Sequence, residues 1–301
     1  MVLGSSFYKY KARLALKGNW QTALLVMFFT GILTTATQVL QTIGLQHVQS
    51  VMYSLQAALE GANVQTGEIM QLYNRLFEAL TAIPDSMWIA MIAVNVLAIV
   101  FTPGLGLSCN RYFIRRDDGE QPALKDGLFG CMRIWLKALW LHVIMFVRIF
   151  LWSLLFVIPG IIAAIRYSMA PWYMAEDPSM SAGEAIRRSK QSMNGMKMAY
   201  FVLQLSFVIW MWGVSMAQVL LVAISPVIAQ VASLFLSLMV STYLTAATAA
   251  FYCAVSREGG QQKLVETMGR RMREMGMETP EWPDMSGDVK DSSDSSDEGD
   301  A

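Results

Sequence analysis

Arg148 and Arg166 are the two bases of this chain that fall deep inside apolar segments, Leu136–Phe156 and Gly160–Ala175, whereas Lys137 stands at the edge of the first. A guanidinium at membrane depth is costly, and it points to function once its partner is named. Counted from the turn at Pro159 the two stand 11 and 7 residues away, so their depths differ by about 6 Å. No carboxylate stands at that depth in the sequence. One chemistry open to the pair is a cationic pocket for an anionic group: a phosphate, a carboxylate or a lipid headgroup. The other is structural, with both guanidiniums bonded to carbonyls, glutamines or waters, or reaching Glu176 and Asp177.

A second polar set lies in the first apolar segment. Thr34, Gln38 and Gln41, with Thr30 and Thr37, form a stripe that either lines a solute pathway or bonds neighbouring helices. A third set is basic. Lys9, Arg13 and Lys17 recur every four residues, away from Phe7, Tyr10 and Leu14. Arg187, Arg188 and Lys190 follow Ser181 and Glu184, a capping-box pattern that starts a helix. Both stretches, and 123–137 between them, suit amphipathic helices lying among anionic headgroups.

Catalytic sets are missing from the pattern. His47 and His142 stand far apart, and no phosphate loop, dinucleotide fingerprint, zinc-protease pair or nucleophile elbow occurs. Cys109, Cys131 and Cys253 form no CxxC pair, and reduced structural thiols account for them. The 22 methionines are scattered, as adaptable packing requires. Neither a catalytic centre, a metal site nor a cofactor is expected, and nothing points to nucleic acid.

The elements that must hold these residues are set by hydropathy. Apolar residues make up 54% of the 301 and charged residues 15%, with mean hydropathy +0.40. A soluble domain carries about 25% charge, so the balance favours lipid. Six segments are apolar enough to be read as spans: Trp20–Leu45, Met87–Leu107, Leu136–Phe156, Gly160–Ala175, Ala199–Ile224 and Val227–Val255. The fourth has only 16 residues and contains Pro171, so it is expected to kink, tilt or turn back. Lys and Arg are rich in 1–19, 108–137, 176–198 and the stretch after 256, and sparse in 46–86 and at the two Pro turns. That alternation predicts three hairpins with both termini on the cytoplasmic side. Residues 46–86 predict an external helical connection, with a turn at Gly61-Ala62-Asn63.

The charges separate along the chain. Residues 278–301 hold nine acids against Lys290, which leaves the tail at −8 and the rest at +8. Such a tail is expected to be disordered and cytoplasmic. The organisation expected is therefore an interface helix at 1–19, a membrane domain at 20–255 and a tail at 256–301. The fold class is all-α, a polytopic membrane helix bundle.

KARLALKGNWQTALLV (11–26), the basic loop after the second span and Ile158 to Trp210 together resemble the bacterial integral membrane family called domain of unknown function 975. Pro159, Gly160, Arg166, Tyr167, Glu176, Asp177, Pro178, Ser189, Gly195 and Lys197 carry the most specific part. The resemblance covers most of 8–255. It implies a multi-span bacterial cell-membrane protein and no particular activity. LKGNWQTALLV and MNGMKMAYFV also share a glycine where an interface helix meets a span, a hint of internal repetition. Two functions follow as expectations. The first is a non-enzymatic protein that organises membrane lipid or a membrane or cytoplasmic partner protein. The second is a permease, or a subunit of one, for an anionic or amphiphilic solute.

Overall fold

The computed structural model describes residues 4–60, 66–222 and 224–257, together with 269, 270 and 273. The expected acidic tail and the expected turn at Gly61-Ala62-Asn63 lie outside them. Among the described residues the fold is all-α, with twelve α-helices. Five are long and apolar enough to cross a membrane: α2 (Trp20–Gly44), α5 (Asp85–Asp117), α7 (Trp135–Leu155), α11 (Lys197–Val222) and α12 (Pro226–Ser256). Around them stand α1 (Ser5–Leu16), α3 (Gln46–Glu60), α4 (Thr66–Thr81), α6 (Leu124–Phe129), α8 (Val157–Tyr167), α9 (Ala170–Glu176) and α10 (Ala182–Ser192). α3 and α4 pack together as the helical connection between α2 and α5.

The fourth apolar segment is not one helix. α8 has 11 residues, about 16 Å, and the chain breaks at Ser168-Met169 before α9. Pro171 explains the break. It sits in the first turn of α9, where its missing N–H is not needed. It therefore starts a helix rather than kinking one.

The chain nevertheless returns to where α7 began. Gly160 lies so close to α7 that a Cβ there would overlap Ser153. At the other end the Cys131 Sγ, just before α7, lies 4.0 Å from the Ala175 carbonyl oxygen. Arg257, past the end of α12, bonds both Asp118, past the end of α5, and Glu176, which ends α9. A single crossing between 136 and 175 would have put Glu176 at the far end from Asp118. The second of the three hairpins is thus α7 returning through α8 and α9.

The buried residues gather at that shared end. They include Phe7, Tyr8, Ala12 and Leu16 of α1, Leu107 and Tyr112 to Ile114 of α5, Trp172 to Ala175 of α9, Ala185 and Ile186 of α10, and Ala246 to Ala254 of α12. Small residues on α12 let its neighbours approach closely. Ala246, Ala247, Ala249 and Ala250 are all buried, and Tyr8 packs its ring edge-on to Phe251, centroids 5.1 Å apart. The other ends expose Phe146, Leu154, Ile209, Trp212, Val219 and Leu220, as surfaces facing lipid do.

Both glycines of the suspected repeat take the same backbone. Gly18, between α1 and α2, has φ +80°, and Gly195, between α10 and α11, has φ +79°. Each ends an amphipathic helix in the left-handed conformation that other residues resist. The chain turns there from a short amphipathic helix into a span.

Candidate functional site

α1 presents its bases to α11 and α12. The Lys9 ammonium sits 5.1 Å over the Phe207 ring, and the Tyr243 hydroxyl donates to the Lys9 carbonyl at 3.0 Å. Arg13 donates from Nε to the Tyr243 hydroxyl at 3.0 Å and stacks near its ring. Partial burial, and then the charge of Arg13, holds Lys9 below the usual lysine range. Lys17 is exposed at the end of α1.

α10 starts as its sequence predicts. The Glu184 N–H donates to the Ser181 hydroxyl at 3.2 Å. The Glu184 carboxylate, however, turns forward to Arg187 and Arg188, at 2.7 and 3.0 Å. Their hydrogen bonds hold it down to about pKa 2. Lys190 lies 5.6 Å from the Tyr167 ring centroid. The buried face carries Ala182, Ala185, Ile186 and Ser189. Ser189 donates to the Arg166 carbonyl at 2.8 Å. That carbonyl is among the last four of α8, which have no intrahelical partner, so α10 caps the break in the hairpin.

The two span arginines stand apart in their surroundings. Arg148 is exposed on α7. Arg166 is half-buried on α8, and its Nε is buried without a hydrogen-bond partner. The contact of Gly160 with Ser153 sets the antiparallel register, which brings Arg148 and Arg166 to nearly the same level. On α7, however, Arg148 lies five residues from Ser153, about 140° around the helix. Among the described residues neither guanidinium makes an ion pair. Glu176 and Asp177, the carboxylates considered for them, are taken by Tyr252 and Arg257, and by Ser179.

The polar stripe of α2 divides. Thr34 and Gln38 are exposed, Gln41 is half-buried and Thr37 is buried. Thr34 bonds back to the Gly31 carbonyl at 2.7 Å, and Thr37 to Leu33 and Thr34. Spacing showed the stripe, but it could not show that Thr34 and Gln38 face outward.

The strongest charged assembly is one that spacing does not reveal. Lys11 pairs with Asp117, with side chains 11% and 2% exposed. Arg257 grips Asp118 with two hydrogen bonds and reaches Glu176 at 3.2 Å, while Tyr252 donates to the other Glu176 oxygen. Asp117, Asp118 and Cys253 each bring one potential ligand atom within 4.8 Å of the others. Lys11 and Arg257 already hold the two carboxylates, so the chemistry shown there is ion pairing. The cue in sequence was slight: two acids ending a helix, where the dipole favours cations.

The model of the family described as a protein of unknown function, DUF975, matches residues 154–258, from the end of α7 to just past α12. That stretch holds the returning arm of the broken hairpin, α8 and α9, with the capping helix α10 and the last two spans. It is narrower than the resemblance read across 8–255. No curated protein and no solved structure matches the chain.

Proposed function

We propose, on the premise that residues 154–258 carry the DUF975 family, that this chain is a non-enzymatic multi-span protein of the bacterial cell membrane. It gathers anionic lipid, and partner proteins with it, at the folded end of its bundle. That end faces the cytoplasm, with both termini on the same side. One observation carries the reading: the amphipathic helices α1 and α10 form a collar on the buried end. Lys17, Arg187 and Arg188 stay exposed on it. Bases at that level attract anionic headgroups at about 1 kcal/mol each.

The test is lipid retention by the purified protein in native mass spectrometry, from mixtures of phosphatidylglycerol and phosphatidylcholine. Preference for phosphatidylglycerol, weakened by Arg187→Gln with Arg188→Gln, supports the reading. Equal retention of both lipids by the wild type overturns it. A reporter fused after Asn194 that reads as external overturns the orientation.

A second reading has one observation in its favour. The partnerless Nε of Arg166 suits a permease for an anionic or amphiphilic solute acting through Arg148 and Arg166. Uptake of a labelled organic phosphate or carboxylate into proteoliposomes, lost in Arg166→Gln, would favour it over the organiser.

A further inference from the structure

The turn between α1 and α2 and the end of α5 enclose a polar cleft of about 140 Å³, whose walls include Lys17, Asn19, Arg116, Gly119, Gln121 and Glu120, whose carboxylate is held by Arg115. That is several times the share of a water molecule, about 30 Å³. Arg116 is the unusual member. It is 6% exposed, as a charged residue is only when something compensates it.

Its hydrogen bonds are to backbone, from Nε to the Ala15 carbonyl at 3.2 Å and from Nη1 to the Glu120 carbonyl at 3.5 Å. Every carboxylate nearby is held by another base. Asp117 goes to Lys11, Asp118 to Arg257, and Glu120 and Asp126 to Arg115. Among the described residues Arg116 makes no ion pair. A buried guanidinium bonded only to neutral carbonyls keeps an uncompensated charge, and the cleft is where its counter-charge can enter. Lys17 adds a second base at the rim. Asn19 precedes α2 without capping it, so the amides that open α2 lie at the same edge.

We propose that this cleft binds a phosphate ester, namely the phosphate of an anionic phospholipid headgroup. Arg116 meets it from below, Lys17 and Gln121 from the rim. A guanidinium matches phosphate geometry through paired N–H donors. The position favours a lipid as the source, because Trp20, the first residue of the α2 span, follows Asn19 directly. The assignment deepens the lipid reading above by giving it one built site.

The experiment compares wild type, Lys17→Gln, Arg116→Gln and the control pair Arg187→Gln with Arg188→Gln. Retention of phosphatidylglycerol against phosphatidylcholine is read by native mass spectrometry. Thermal stability is read with and without inorganic phosphate. The expected result is one tightly held phosphatidylglycerol in the wild type, about tenfold weaker retention of it in the two cleft variants, and loss in the Arg187, Arg188 pair only of the looser phosphatidylglycerol gathered around it. Should Arg116→Gln fail to fold, Lys17→Gln decides, because that side chain is exposed. Stabilisation by inorganic phosphate alone, lost in Lys17→Gln, keeps the cleft and makes its ligand a soluble phosphate. Unchanged retention in both cleft variants, with loss only in the control pair, overturns the cleft and leaves the lipid reading standing. A wild type with neither lipid preference nor phosphate stabilisation overturns both.

Discussion

Lys11 and Asp117 show what single residues do in this collar. The carboxylate is almost fully enclosed, and Lys11 is the base that answers it. Removing one partner of a buried pair leaves the other uncompensated, at about 3 to 5 kcal/mol. Lys11→Met should therefore lower unfolding stability in detergent by about 3 kcal/mol, and adding Asp117→Leu should recover most of the loss. If the double variant is no more stable than Lys11→Met, the pair is not the cause. Glu184 gives the pH counterpart. Its carboxyl is held down to about pKa 2 from an ordinary 4.5 by Arg187 and Arg188. A lowered carboxyl stabilises above its ordinary value, and that support disappears as pH falls through the folded value. Amide protection of α10 in hydrogen exchange should hold from neutral pH down to about 4.5 and then decline toward about 2; in Glu184→Gln the decline should be absent. Neither partner of Lys11 or Arg257 could be read from spacing, since 106 residues separate Lys11 from Asp117 and 139 separate Asp118 from Arg257.

At the scale of elements, local sequence governs more. Ser181 capped α10 as its pattern predicts, and Gly18 and Gly195 both turn left-handed where the repeat suggested. The short fourth segment was legible as irregular, because 16 residues with a proline are too few for a straight crossing. Its solution was not legible. The break depends on Ser189 bonding a carbonyl 23 residues away, and on Gly160 letting α8 press against Ser153. A side chain at Gly160 has no room there, and inserting bulk into a packed contact costs about 1 to 3 kcal/mol. Gly160→Leu should therefore loosen the α7–α8 hairpin and lower the melting temperature. Gly160→Ala, whose single methyl already overlaps Ser153, should do so to a smaller degree. An unchanged melting temperature in Gly160→Leu would show that the two helices do not meet there.

At the scale of the whole molecule the packing is one-sided. α1 lies on α12, with Phe7, Tyr8, Ala12 and Leu16 buried, and the collar it joins holds most of the core. The spans extend from that end with apolar side chains turned outward, which lipid satisfies and water does not. Stability should therefore depend on the collar more than on the far ends of the spans. Cys253 reports this directly, being 3% exposed on α12 and beside Asp117, the partner of Lys11. In a Cys109→Ser, Cys131→Ser background, Cys253 should resist maleimide in the folded protein. Deleting residues 1–17 removes Lys11 and the α1 face together, so labelling should accelerate at least tenfold while far-ultraviolet circular dichroism still reports helical spans. Tyr8→Ala, which removes one buried ring but keeps Lys11, should give an intermediate rate. Equal labelling with and without α1 would mean that the collar is not what closes this end, and the lipid site assigned to its rim would lose its scaffold.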